Sequence, residues 1–402
     1  MFSRAGRNLF CSLAPFNAYP QAFQTQAPRY FTAAVSSISS QVDGIPVKIF
    51  NENGSKRVVV TKDLPGKRWL DVLVNADCRV EVCTHPDAIL DVAKVKTLIS
   101  TRCDGVIGQL TEDWSEELFG ALKSAGGTAF STYAVGYNNV KVAAANAHGL
   151  PVGNTPGVLT ETTAEIAAAL TLAAARRVAE ADVFMRSGQY VGWLPALFVG
   201  NLLQRKTVGI IGAGRIGQAY ARMMIEGHKM DCIYYDMFPQ PKFEEYVTDY
   251  GKFLEGHDEE AVTIRRADTV ENLLREADVV SLHCLLDAST THLMNAERLG
   301  MMKSNAVLVN SARGPVIDEV ALPGLAECAN AVILPHIASA SLWTRGGMAT
   351  LAASNVAGVL QGFPLLPDGG DVLKFVDGPL GSEELNYTPS IVNSADVPSW
   401  VK

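Results

Sequence analysis

Residues Gly212-Ala213-Gly214-Arg215-Ile216-Gly217 set three glycines in a spacing that can hold a phosphate. A bare match of this kind is common, so its context decides. Lys206 to Ile211 before it is a short apolar run, and Arg215 to Glu226 after it has helical spacing, so the loop turns a strand into a helix. Gly212 permits the tight turn, Gly214 lets the backbone approach a pyrophosphate, and Gly217 lets helix and strand pack closely, with the helix amino end facing the phosphates. A second strand, Asp231 to Tyr235, ends in Asp236, whose carboxylate can accept from adenosine ribose hydroxyls and would repel a 2′-phosphate. The reading is a dinucleotide site for NAD (NADH) rather than NADP, made by Gly212, Gly214, Arg215, Ile216, Gly217 and Asp236. No His, Cys, Asp or Glu cluster has metal-ligand spacing, so no metal site is expected.

Arg313 follows a strand-like run, Ala306 to Ser311, at the kind of strand end where ligands bind in doubly wound sheets. His336 follows another, Ala331 to Leu334. Taken alone, a surface salt bridge and a structural histidine are ordinary explanations for such residues. Their surroundings change this. The phosphate loop, Asp236, Asn310-Ser311-Ala312-Arg313-Gly314 and Pro335-His336-Ile337-Ala338-Ser339 together resemble the D-2-hydroxyacid dehydrogenases. Ala134-Val135-Gly136-Tyr137-Asn138-Asn139-Val140 and the stretch from Gly153 to Glu165 resemble, within that family, the hydroxypyruvate reductases of plants and algae. The resemblance runs from about Val47 to about Ser394.

It implies NADH-dependent reduction of hydroxypyruvate, and of glyoxylate, to D-glycerate and glycolate. That chemistry needs a proton donor at the carbonyl oxygen and a cation for the carboxylate. His336 is the expected acid and base, Arg313 the expected carboxylate and carbonyl ligand, and Ala312 an expected cofactor contact. Backbone N–H groups of Val135 and Gly136 are the expected substrate-carboxylate donors.

One departure from the family pattern bears on activity. Members carry a helix, a strand and a catalytic glutamate between the arginine and histidine runs, whereas here Arg313 and His336 are only 23 positions apart. Asp318 can start a helix, but Pro323 and Gly324 stop it. One strand-helix unit of the NAD domain is therefore expected to be missing between Leu322 and Pro323; neither Glu319 nor Glu327 fits the lost glutamate. An NAD-binding pseudoenzyme, or a splice form lacking the catalytic segment, stands as the alternative to an active enzyme.

Strand and helix alternate along the rest of the chain, which implies an α/β protein with a doubly wound parallel-sheet (Rossmann) NAD domain and a smaller flavodoxin-like substrate domain. The expected division is a transit peptide over 1–42, a substrate domain over 43–155 completed by 337–402, and the NAD domain over 156–336. Val158 to Glu180 reads as one Ala-rich helix, apolar enough to need burial in a domain seam or a homodimer interface, and Ala338 to Gln361 reads as a helix returning to the first lobe. Over 402 residues the net charge is -8, which argues against a nucleic-acid partner, and no apolar run is long enough for a membrane span. The partner is expected to be a small molecule. Seven scattered cysteines read as reduced thiols. The first 42 residues contain Arg4, Arg7 and Arg29 but no acid, the composition of an organelle leader, with mitochondrion expected ahead of chloroplast.

Overall fold

The computed structural model describes residues 36–322, 328, 330–367, 371–380 and 385–397. The proposed leader up to residue 35, Pro323, Gly324 and Glu327 lie outside the described residues. The last six residues of the stretch read as leader, Ser37–Val42, are folded as strand β1.

The first sheet uses β1, β2 (Ile45–Phe50), β3 (Lys56–Val60), β4 (Cys78–Cys83), β5 (Gly105–Gly108), β6 (Ala129–Thr132) and β7 (Val152–Gly153). Its spatial order is β1-β2-β4-β3-β5-β6-β7, with β1 and β2 antiparallel and the other five strands parallel to one another. Those five run in the 2-1-3-4-5 order of flavodoxin-like sheets. Both faces of β3 are covered: Val58 and Val60 enter one core and Val59 the other, each burial being worth about 2 kcal/mol. Helices α1 (Arg68–Asn75), α2 (Val92–Ile99), α3 (Glu116–Ser124) and α4 (Val142–Ala147) connect these strands.

Helix α5 (Thr160–Ala175) and helix α6 (Val178–Arg186) lead to the second sheet: β8 (Thr207–Ile211), β9 (Asp231–Tyr235), β10 (Ile264–Arg266), β11 (Val279–Leu282) and β12 (Val307–Asn310). All its pairings are parallel, in the order β10-β9-β8-β11-β12. This is the 3-2-1-4-5 portion of the dinucleotide-binding order, which in full has a sixth strand. Among the described residues no strand pairs with the outer side of β12. Helices α7 (Arg215–His228), α8 (Pro241–Glu255), α9 (Val270–Glu276) and α10 (Ala296–Met301) complete this layer.

The long helix expected over Val158 to Glu180 is two helices. Arg177 adopts a left-handed φ of 55° between α5 and α6, and the peptide N–H of Asn201 donates to the carbonyl of Ala175 at 2.8 Å. Helix α5 buries Thr163, Ala164, Ala167, Thr171 and Ala175, the three alanines in the core of the second sheet, while Leu172 on its other side stays 37% exposed.

Ala331–Leu334, expected as a strand, is irregular; Ile333 is 57% and Leu334 41% exposed. A strand requires a neighbour, and these four residues pair with none among the described residues. After two 3-10 turns, Gly314–Val316 and Glu319–Ala321, the chain passes His336 and enters α11 (Leu342–Leu360), capped by the Ser341 side chain. Helix α11 returns to the first sheet, where Met348, Leu351, Ala352 and Val356 join its core; the short α12 (Leu373–Asp377) follows. No helix among the described residues is long and apolar enough to cross a membrane.

Candidate active site

A cleft of about 770 Å³ lies between the ends of the two parallel sheets. Its walls include Val135, Gly136, Ile216, Arg313 and His336, with Ala312 and Arg215 beside them. Residues far apart in sequence therefore meet at one opening, which falls in the size range of small-molecule sites.

The glycine loop has the form its sequence implies. Gly212 has a φ of 93°, and a β-carbon there would lie 2.6 Å from the Cys284 nitrogen; at Gly217 it would lie 2.1 Å from the Gly212 carbonyl oxygen. At Gly214 it would meet nothing within 4 Å. Gly212 and Gly217 are thus demanded by packing, whereas Gly214 faces open space where a phosphate can approach. Gly214 also begins α7 without a side-chain cap, so no side chain of that residue covers the amino end of the helix beside the loop. Asp236 does not line the cleft. Its carboxylate accepts from the Ala213 N–H at 2.8 Å and from the Phe238 N–H at 3.1 Å, which fixes it beside the loop. Each oxygen retains lone-pair capacity for a ribose hydroxyl. These features fit a dinucleotide.

Arg313 is set by a turn that Asn310 closes: the Asn310 side chain donates to the Arg313 carbonyl at 2.8 Å and accepts from the Ala312 N–H at 3.0 Å. The Arg313 guanidinium lies against Gly136, where a β-carbon would sit 1.8 Å from its Nη2. Opposite, the Asn154 side chain donates to the Val135 carbonyl at 3.0 Å and accepts from Ser390 Oγ. The amides of Val135 and Gly136 have no protein acceptor among the described residues. Two N–H groups without a protein acceptor beside a guanidinium are an arrangement that could receive a carboxylate.

His336 has a left-handed φ of 51° and its ring makes no hydrogen bond to a described residue. Burial, Arg313 and Arg345 all hold its pKa below the ordinary 6.5. Arg345, in the first turn of α11, lines the cleft and was not singled out by the sequence. Nor was His283, whose half-buried ring has Ser281 Oγ 2.8 Å from Nε2 and Ser311 Oγ 3.2 Å from Nδ1. Both enter the site through tertiary packing, and no local motif marks either.

Residues 168–327 match the family model described as D-isomer specific 2-hydroxyacid dehydrogenase, NAD binding domain. The chain is 56% identical over 374 residues to "Glycerate dehydrogenase HPR, peroxisomal" of Arabidopsis thaliana, covering 87% of this chain and 96% of that protein. It is 34% identical over 339 residues to "Glyoxylate reductase" of Thermococcus litoralis, covering 76% and 94%. Among solved structures, the TT0316 protein of Thermus thermophilus superposes with a TM-score of 0.66 at 36% identity, covering 76% of this chain and 97% of the other. Phosphate loop, cleft and kinship agree, and the chain belongs to the D-isomer specific 2-hydroxyacid dehydrogenases, oxidoreductases that use NAD.

Proposed function

We propose that this protein reduces hydroxypyruvate, and glyoxylate, with NADH, giving D-glycerate and glycolate. The observation that carries this reading is the convergence of the unpaired Val135 and Gly136 amides, Arg313 and His336 on one cleft beside the start of α7. The relatives named as glycerate dehydrogenase and glyoxylate reductase support the choice of substrates.

Bound NADH supplies hydride to the carbonyl carbon. The chain's residues do the rest. Val135 and Gly136 N–H groups and the Arg313 fork hold the carboxylate, and the same fork polarises the carbonyl oxygen. As that oxygen gains charge, the His336 imidazolium donates a proton to it; in the reverse direction neutral His336 removes the proton from the hydroxyl. Gly212, Gly214, Arg215, Ile216, Gly217, Asp236 and Ala312 are the residues that would hold the dinucleotide.

The test is NADH oxidation by the purified chain on addition of hydroxypyruvate, with His336→Gln and Arg313→Gln as controls that lose the activity. NADH binding without oxidation would favour the pseudoenzyme reading, for which the specific observation is that no described carboxylate contacts His336.

Two quantitative results are expected. Because three influences depress the His336 pKa, the imidazolium needed for reduction is depleted already below 6.5, so kcat/KM for reduction should fall with rising pH through a point below that value. An alkaline limb centred above 6.5 would contradict this. Gly136→Ala pushes a β-carbon into the Arg313 guanidinium, and kcat/KM should drop about tenfold through misplacement of the fork. Unchanged kinetics would show that Arg313 does not depend on that packing.

We assign the domains as residues 43–155 with 337–402 for substrate, extended at the front by β1 (Ser37–Val42), and 156–336 for NAD. A homodimer is proposed from α6 and the stretch after it, where α6 buries no residue, Val191 is 90% exposed and Trp193 is 80% exposed. Sedimentation of the wild type against Trp193→Glu decides it. A mitochondrial address, with chloroplast as the alternative, rests on the basic, acid-free start of the chain; a reporter fused to residues 1–42 tests it.

A further inference from the structure

Two guanidinium groups face His336, Arg313 from the nucleotide-binding layer and Arg345 from the first turn of α11. No carboxylate among the described residues lies within ion-pair distance of either. The only acid on the cleft wall among the described residues is Asp287, whose carboxylate is occupied by Ser289 and Thr290. Leaving two cations uncompensated in a partly dry cleft is costly unless a ligand supplies the missing acceptors.

Arg313, with the Val135 and Gly136 amides, accounts for one substrate carboxylate. Arg345 is surplus to that task. Its placement is nevertheless fixed: the buried Tyr133 hydroxyl donates to the Arg345 carbonyl at 2.9 Å, and the phenol oxygen also meets the Arg345 side chain. One phenol cannot satisfy five guanidinium N–H donors, so the others are available to a molecule in the cleft.

We propose that Arg345 is a specificity-determining residue that donates to an oxygen substituent on C3 of the 2-oxo acid, so that the site favours hydroxypyruvate over glyoxylate, which has no C3. This rests on the substrate class proposed above. It adds the element that distinguishes members of the class. A charged donor lost from a polar subsite lowers selectivity by about 10- to 100-fold, whereas a ligand without the hydroxyl loses only long-range attraction.

The experiment measures kcat/KM for hydroxypyruvate and glyoxylate in the wild type, Arg345→Met and Arg345→Lys. The hydroxypyruvate-to-glyoxylate ratio is expected to fall at least tenfold in Arg345→Met and by less in Arg345→Lys, which keeps the charge but loses the fork. Equal losses for both substrates, an unchanged ratio, or a wild type without preference for hydroxypyruvate would overturn the proposal. NADH fluorescence confirms that each variant retains its nucleotide site; should Arg345→Met fail to fold, the Arg345→Lys ratio decides alone, supporting the proposal if it falls and overturning it if it does not. If the wild type oxidises no NADH with either acid, the proposed reaction fails, and Arg345 is tested by binding instead. The ratio of dissociation constants for the two acids on the NADH-loaded protein then supports its role if the preference for hydroxypyruvate weakens in Arg345→Met, and overturns it if the ratio is unchanged.

Discussion

Insertion of a strand-helix unit carrying a glutamate after Leu322 is expected to raise kcat for hydroxypyruvate reduction at neutral pH by about 100-fold. Among the described residues the sheet has five strands of a six-strand order, and β12 pairs on one side only. The comparison with the Arabidopsis protein agrees: the match runs over 374 positions but uses 87% of 402 residues, about 350, so some two dozen positions lack a counterpart here. His336 meanwhile faces two arginines and no described carboxylate, the arrangement that least favours its protonated form. A carboxylate beside the ring reverses the sign of its surroundings, and each pKa unit regained restores up to tenfold more imidazolium at a pH above the titration point. The decisive comparison is the same insertion with glutamine replacing the glutamate. It should cover the edge of β12 and raise Tm as much, yet leave the alkaline limb of the kcat profile low. Equal gains in kcat from both insertions would assign the defect to architecture rather than to the missing charge.

Sequence reading succeeded where information is local. Asp231–Tyr235 falls at the expected residues, and the glycine loop joins β8 to α7 as expected. Periodicity and glycine geometry act over a few residues, so they survive without knowledge of the rest. Ala331–Leu334 shows the limit. Its residues favour a strand, but pairing is a property of two segments, and the neighbour is gone. Helix α5 ends at Ala175 although Arg176 and Arg177 are adequate helix formers. The cause lies 25 residues on, where Gly200 packs so closely that a β-carbon would sit 2.3 Å from the Ala175 carbonyl oxygen. Helix α8 went unread even though Pro241 opens it and Phe243, Val247, Gly251 and Leu254 keep one buried stripe. At the site, Arg313 and His336 belong to recognisable runs. Arg345 and His283 belong to none, because their relevance comes from what α11 and β11 place beside the cleft.

His283 gives the second large effect. Its half-buried ring packs between Ser281 and Ser311, with the Tyr220 ring centroid 5.2 Å away, and desolvation pushes its pKa down to about 4. In the unfolded chain the same imidazole titrates near 6.5. Above 6.5 both states hold it neutral and the folded state keeps its full advantage. Between 6.5 and about 4 the unfolded chain binds a proton that the folded one refuses, so stability falls as pH falls, by about 3 kcal/mol over the window. Serine hydroxyls can turn to accept from either ring nitrogen, but they supply no counter-charge, which is why they fix the ring without raising its pKa. His283→Asn should cost stability at pH 7 through lost packing, yet lose less on acidification. Denaturant unfolding at pH 7 and pH 4.5 on both proteins separates the effects, since packing loss is the same at both values while proton uptake is not. Parallel stability profiles for wild type and variant across that interval would mean that His283 is not the group whose protonation opens the fold to acid.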